Sequence, residues 1–115
     1  MKNFLKGFLY AFHGIGLALK ERNFKVQLFA FVAVLAAGLY LKIDTYEWIA
    51  IIGISALVLS LETINTSIEQ LCDLYSTEYD QRIKLIKDLA AGAVLMASIF
   101  AVIIALLIFV PKILV

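Results

Sequence analysis

From Leu89 to Val110 the chain runs for 22 residues, LAAGAVLMASIFAVIIALLIFV, without a charge, and Pro111 and Lys112 close the run. A helix of about 20 apolar residues spans the hydrocarbon of a bilayer, so this segment alone predicts a membrane-crossing helix. Two further runs stand between charged residues. VQLFAFVAVLAAGLYL lies between Lys25 and Lys42, broken only by Gln27, and WIAIIGISALVLSL extends from Trp48 to Leu61. The second reaches crossing length only by continuing through Glu62 into the polar stretch beyond. Three spans result, over about 25–42, 47–73 and 88–110. With 63% of its 115 residues hydrophobic, the chain has more apolar surface than a small soluble domain can bury.

Basic residues set the orientation. Lys2, Lys6, Lys20, Arg22 and Lys25 precede the first span, Arg82, Lys84 and Lys87 lie between the second and third, and the other side holds only Lys42 and Lys112. The positive-inside rule places the N-terminus and the second loop in the cytosol and the C-terminus outside. Lys42 to Glu47 then forms a short external hairpin, with Tyr40, Tyr46 and Trp48 as interface aromatics. Residues 3–19 differ in kind. Phe4, Phe8, Phe12, Ile15 and Leu19 recur at helical spacing beside Lys2, Lys6, His13 and Lys20, which predicts an amphipathic helix lying in the cytosolic interface. The fold class is therefore an all-α membrane protein, one domain over 1–115. A net charge of +1 leaves no electrostatic footprint for nucleic acid, and the lone Cys72 excludes an intrachain disulfide and predicts a small buried hydrophobe.

The chemistry concentrates in Glu62-Thr-Ile-Asn65-Thr-Ser-Ile-Glu69-Gln-Leu-Cys-Asp73. At 100° per residue, positions 62, 65, 69 and 73 share one narrow arc, a polar stripe about 16 Å long. An ionisable group at the lip of a membrane span is costly and marks function by default. Glu21, Glu78-Tyr79-Asp80 and Lys87-Asp88 fall on the same side of the membrane. Carboxylates converging from separate segments suit Mg²⁺, which takes oxygen ligands and shares them with phosphates. Lys87 can meet phosphate charge, and one carboxylate can act as general base. Two other readings stay open at this point. A proton or ion pathway would use the stripe but leave Glu21, Lys87 and Asp88 idle. A non-enzymatic assembly protein would use the small face Ala90-Ala91-Gly92-Ala93. Gly14-Ile-Gly16 follows no strand and is no dinucleotide fingerprint, no Walker loop is present, and the sequon at Asn65-Thr66-Ser67 lies on a cytosolic helix face.

Taken together, Glu62-x-x-Asn65-Thr66-x-Ile68-Glu69-x-x-x-Asp73, Tyr75-Ser-x-Glu78-Tyr79 and Lys87-Asp88-x-Ala90-Ala91-Gly92-Ala93-Val94 resemble the prokaryotic diacylglycerol kinase family, which includes the undecaprenol kinases. The resemblance covers nearly the whole chain. It implies a homotrimer in the bacterial plasma membrane that transfers the γ-phosphate of ATP, with Mg²⁺, to a lipid alcohol such as undecaprenol or diacylglycerol. It implies Glu62 as catalytic base and substrate contact, with Ala91 beside the substrate, and Glu21 and Glu69 as the metal carboxylates. Asn65, Glu69, Glu78, Tyr79, Asp80, Lys87 and Asp88 are implied at the nucleotide. Asp80 stands where histidine is common in the family, and Glu21-Arg-Asn-Phe-Lys-Val-Gln27 is more similar to the undecaprenol-kinase branch.

Overall fold

The computed structural model describes all 115 residues and is entirely helical: α1 Lys2–Ala18, α2 Arg22–Leu41, α3 Thr45–Tyr75 and α4 Gln81–Ile113. The last three are long and apolar enough to cross a membrane. α3 and α4 form the main antiparallel pair, α2 leans chiefly on α3, and α1 touches the end of α3. Only 12 of the 115 residues are buried within the chain. Apolar side chains thus cover the outside of the bundle, as a lipid solvent allows and water does not.

The helix ends follow local chemistry. Asp44 caps α3: its side chain accepts from the Glu47 N–H at 2.9 Å, and the Glu47 carboxylate accepts from the Asp44 N–H at 3.0 Å, a reciprocal capping box. α2 ends where Lys42 adopts a left-handed conformation, φ 53°, which turns the chain within three residues into α3. α4 begins eight residues before the apolar run because Asp80 caps it, accepting from the Arg82 N–H at 2.8 Å. It also continues past Pro111 to Ile113. Proline fits a helical φ and removes only one hydrogen bond, here in the last turn.

The tightest packing lies at the hairpin end. Ile43, Ile51 and Ile108 form a buried cluster, with Val34, Trp48, Ala50, Ile104 and Phe109 against it. Gly38 is required there, because a Cβ would stand 2.7 Å from Trp48 Cη2 and 3.0 Å from Ile43 Cδ1. Trp48 is therefore a packing residue as well as an interface aromatic, whereas Tyr40 and Tyr46 are each 84% exposed. Lys112 Nζ reaches Glu47 Oε2 at 3.0 Å and joins the end of α4 to the start of α3. Deeper in the bundle, Gln27 Nε2 donates to Ser98 Oγ at 3.4 Å. The one polar residue interrupting the first apolar run thus finds its partner on another span.

Candidate functional site

α3 is 31 residues long, more than one crossing needs, and its last four turns or so carry the polar stripe. Thr63 and Thr66 are quiet there. Their hydroxyls donate to the carbonyls of Leu59 and Glu62 at 2.9 and 3.1 Å, satisfying themselves within the helix. Glu62 and Asn65 are not quiet. They are the buried polar residues of the chain, at 5% and 6% exposure. Glu62 forms no ion pair. Asn65 donates from Nδ2 to Glu69 Oε1 at 3.2 Å, while its Oδ1 is buried with no donor. A buried acceptor without a partner, as at Asn65 Oδ1, costs about 1–3 kcal/mol, and holding a carboxylate in a largely covered residue without a counter-charge adds to that cost. A structural helix has no reason to keep both.

The other sequence-predicted residues divide into groups. Lys87 Nζ crosses from α4 to Asp73 Oδ1 at 2.6 Å, and it also lies in the field of the Glu69 carboxylate. Asp73, the far end of the stripe, therefore serves as the counter-charge of Lys87, a pairing that depends on how α3 and α4 cross and that no local spacing reveals. Glu21, half-buried at the start of α2, opens onto a cleft of about 260 Å³ shared with Thr63, Thr66, Ser67 and Gln70 of α3. Asp88 lies elsewhere. It borders an apolar groove of about 670 Å³ between α3 and α4, beside Leu61, Leu85 and Leu89, and Lys84 Nζ holds its carboxylate at 2.6 Å. Tyr79 and Asp88 also flank a polar hollow with Arg82 and Lys84. Glu78 is exposed in the connecting loop, where its N–H donates to Ser76 Oγ. Ala91 is exposed on α4.

Asp80 has a definite structural duty. Oδ1 accepts from the Arg82 backbone and Nε, and Oδ2 from Nη2 at 2.9 Å. These hydrogen bonds from Arg82 hold its carboxyl down at about 2. Within one chain no three His, Cys, Asp or Glu side chains gather closely enough to hold a metal ion. The chain thus brings Glu62, Asn65 and Glu69 together, with Lys87 and Asp73 beside them, and keeps Glu21 and Asp88 on separate grooves.

A family model described as prokaryotic diacylglycerol kinase matches residues 9–109. The undecaprenol kinase of Bacillus subtilis is 39% identical over 113 residues, covering 97% of this chain and 92% of that protein. A diacylglycerol kinase of Synechocystis is 38% identical over 114 residues, covering 97% of this chain and 65% of that longer protein. The diacylglycerol kinase of Escherichia coli K12 is 30% identical over 95 residues, 82% of this chain and 78% of the relative. With the match extending from the interfacial helix through all three spans, the chain belongs to the prokaryotic diacylglycerol kinase family and is a multi-pass membrane enzyme, a lipid kinase.

Proposed function

We propose that this enzyme transfers the γ-phosphate of Mg-ATP to a membrane lipid alcohol, undecaprenol or diacylglycerol, at the cytosolic face of the bacterial plasma membrane. The observation that carries the proposal is the buried Glu62–Asn65 pair at the lip of the second span, with an unpaired carboxylate and an unpartnered amide oxygen. Such a pair is retained because a bound reactant completes it. The acceptor hydroxyl reaches this level within the leaflet. Its oxygen attacks the γ-phosphorus, the bond from that phosphorus to the β–γ bridging oxygen breaks, and ADP leaves. Glu62 takes the hydroxyl proton, Asn65 positions the reactants through its free oxygen, and Lys87, held by Asp73, offsets phosphate charge.

Glu69 and Glu21 form no ion pair and stand apart within one chain; each would offer a carboxylate to Mg²⁺, an ion that binds through one or two carboxylates with phosphate oxygens and water. When bound, the ion neutralises charge on the phosphates. The relatives named undecaprenol kinase and diacylglycerol kinase are almost equally similar, so identity does not choose the acceptor.

Asp88 opens onto a groove that Glu62 does not line, which supports a homotrimer with shared sites, Glu62 and Asp88 of one site coming from neighbouring subunits. A heterologous contact repeated around a closing ring produces such sites. The decisive measurement is transfer of labelled γ-phosphate, with and without Mg²⁺, to undecaprenol and to diacylglycerol in separate vesicles. No labelled lipid in either would refute the reading. Glu62→Gln and Asp88→Asn subunits, refolded as mixed oligomers, should regain activity that neither has alone. Mixed trimers that stay at the single-variant level would remove the shared site and leave the kinase reading intact.

A further inference from the structure

The three spans are joined unequally. α3 and α4 are tied at both ends, by Lys112 with Glu47 beside the hairpin and by Lys87 with Asp73 near the loop. α2 is held by packing where it ends, through the three-residue turn into α3 and through Trp48 against Gly38. Nearer the loop end, a cavity of about 180 Å³ lies between α2 and the α3–α4 pair, walled by Ala30, Val34, Ser55, Val58, Ala101 and Ala105. Close packing therefore does not set the position of α2 at that level. What reaches across is Gln27, whose Nε2 donates to Ser98 Oγ at 3.4 Å. No other α2 side chain enters a hydrogen bond or an ion pair. Phe24 is buried one turn away, but apolar burial is non-directional, whereas a hydrogen bond has a preferred angle.

The tie also lies at the depth of the site. The Lys87–Asp73 pair and the buried contact of Ile51 with Ile108 set the antiparallel register of α3 and α4. On that register Ala97 stands level with Glu62, and each is 5% exposed. Ser98 is the next residue, so Gln27 meets α4 near the height of Glu62. Along α2 it lies about 9 Å from Glu21, at 1.5 Å per residue. We propose that Gln27 and Ser98 are positioning residues: their hydrogen bond fixes the rotation of α2 about its own axis and so aims the Glu21 carboxylate into the cleft it shares with Thr63, Thr66 and Gln70. The proposal rests on the reading of Glu21 as a metal carboxylate. A helix with its side chains is about 10–12 Å across, so a turn of about 30° carries a side-chain tip about 3 Å. Mg²⁺ demands near-ideal octahedral geometry, and a shift of that size withdraws a ligand. One hydrogen bond between membrane helices is a modest constraint, so its loss has a graded effect.

The test exchanges only the hydroxyl. Threonine and valine have nearly the same shape, and only threonine can accept from Gln27. Spin labels at Asn23→Cys and Leu74→Cys, in the full chain carrying Cys72→Ala and diluted with unlabelled subunits, report the distance from α2 to α3 within one chain by pulsed electron paramagnetic resonance. Ser98→Val and Gln27→Leu should shift or broaden that distance. Both should also raise the Mg²⁺ concentration for half-maximal phosphate transfer about threefold, the scale of one such bond. The kcat at saturating Mg²⁺ and the ratio of undecaprenol to diacylglycerol turnover should stay unchanged. Ser98→Thr should match the parent chain in every readout. Ser98→Thr and Ser98→Val variants that behave alike would overturn the proposal. A changed acceptor ratio with an unchanged Mg²⁺ response would overturn it too, and would give the cavity to the lipid chain. Glu21→Gln separates the proposal from the reading beneath it. If Glu21→Gln shifts the Mg²⁺ response and Ser98→Val does not, the positioning role alone falls. If neither shifts it, the metal reading of Glu21 falls and the proposal falls with it.

Discussion

The two ends of the three-span bundle are built from the same kinds of residue to opposite effect. At the hairpin end, Glu47 is fully engaged: one oxygen takes the Asp44 N–H and the other takes Lys112 Nζ. Gly38 lets Trp48 close over it, and Ile43, Ile51 and Ile108 are buried beneath. At the loop end, Glu62 is more deeply buried than Glu47 yet forms no ion pair, and Asn65 Oδ1 has no donor. One end satisfies its polar groups and packs. The other leaves acceptors unmet where a cationic or hydroxyl-bearing reactant can meet them. The contrast teaches that burial alone does not separate a structural acid from a functional one; the partner list does.

The largest expected effect tests the loop end. Glu62→Gln keeps the shape and removes the base, so kcat for phosphate transfer to lipid should fall by about 10²-fold or more. KM for ATP should barely move. Thermal stability in detergent should not fall, since no ion pair is lost. A clear drop in Tm with kcat preserved would make Glu62 a structural acid and erase the contrast.

The hairpin end should respond the other way. Gly38→Ala places a methyl 2.7 Å from the Trp48 ring, and overpacking of this kind costs about 1–3 kcal/mol. Tm should fall while the kcat of the folded fraction stays near wild type, and Trp48→Leu added to Gly38→Ala should restore much of the loss. Failure of that second change to rescue would show that the ring is not what Gly38 accommodates.

This asymmetry also explains what could be read from the sequence. Charge inside an apolar run is a local signal, so Glu62 and Asn65 stood out at once, as did the three spans and the amphipathic α1. Pairing between helices is not local. Lys87 with Asp73, Lys112 with Glu47 and Gln27 with Ser98 depend on how far each helix is rotated and where two helices cross, and neither quantity is written in spacing. Lys84 with Asp88 is an i,i+4 pair whose spacing is local, and it engages the same carboxylate that the family resemblance assigns to the nucleotide. Asp80 shows a similar overlap. Its place after Glu78-Tyr79 suggests ligand contact, while its hydrogen bonds give it a capping role that any helix start could use.

A smaller effect is expected from the Glu47–Lys112 pair. Both side chains are partly covered, at 21% and 30% exposure, and an ion pair of this type contributes about 0.2–1 kcal/mol. Lys112→Met should lower Tm slightly. Glu47→Gln should lower it further, because the capping box weakens too. A double-mutant cycle measured by reversible unfolding in detergent should isolate a coupling within that range. Zero coupling would mean that the hairpin end is held by packing alone.

The smallest effect belongs to Asp80, and it sharpens the comparison because it is a satisfied acid at the unsatisfied end. Hydrogen bonds from the Arg82 side chain and backbone depress its carboxyl to about 2, below the ordinary aspartate value. A depressed acid stabilises the folded state fully above its unfolded pKa, and that contribution disappears as pH falls through the folded value. The window here is therefore the strongly acidic range down to about pH 2, and near neutrality the contribution is constant. Carbon-13 titration of the Asp80 carboxyl should show its midpoint near 2. Arg82→Gln should raise that midpoint toward the ordinary value while sparing the backbone bond that caps α4, so helix content at neutral pH should be unchanged. Phosphate transfer at neutral pH should likewise change little if Asp80 acts only as a cap. A loss of ATP affinity in Arg82→Gln with the helix intact would instead show that the Asp80–Arg82 pair belongs to the nucleotide site, and the loop end would then have no purely structural acid at all.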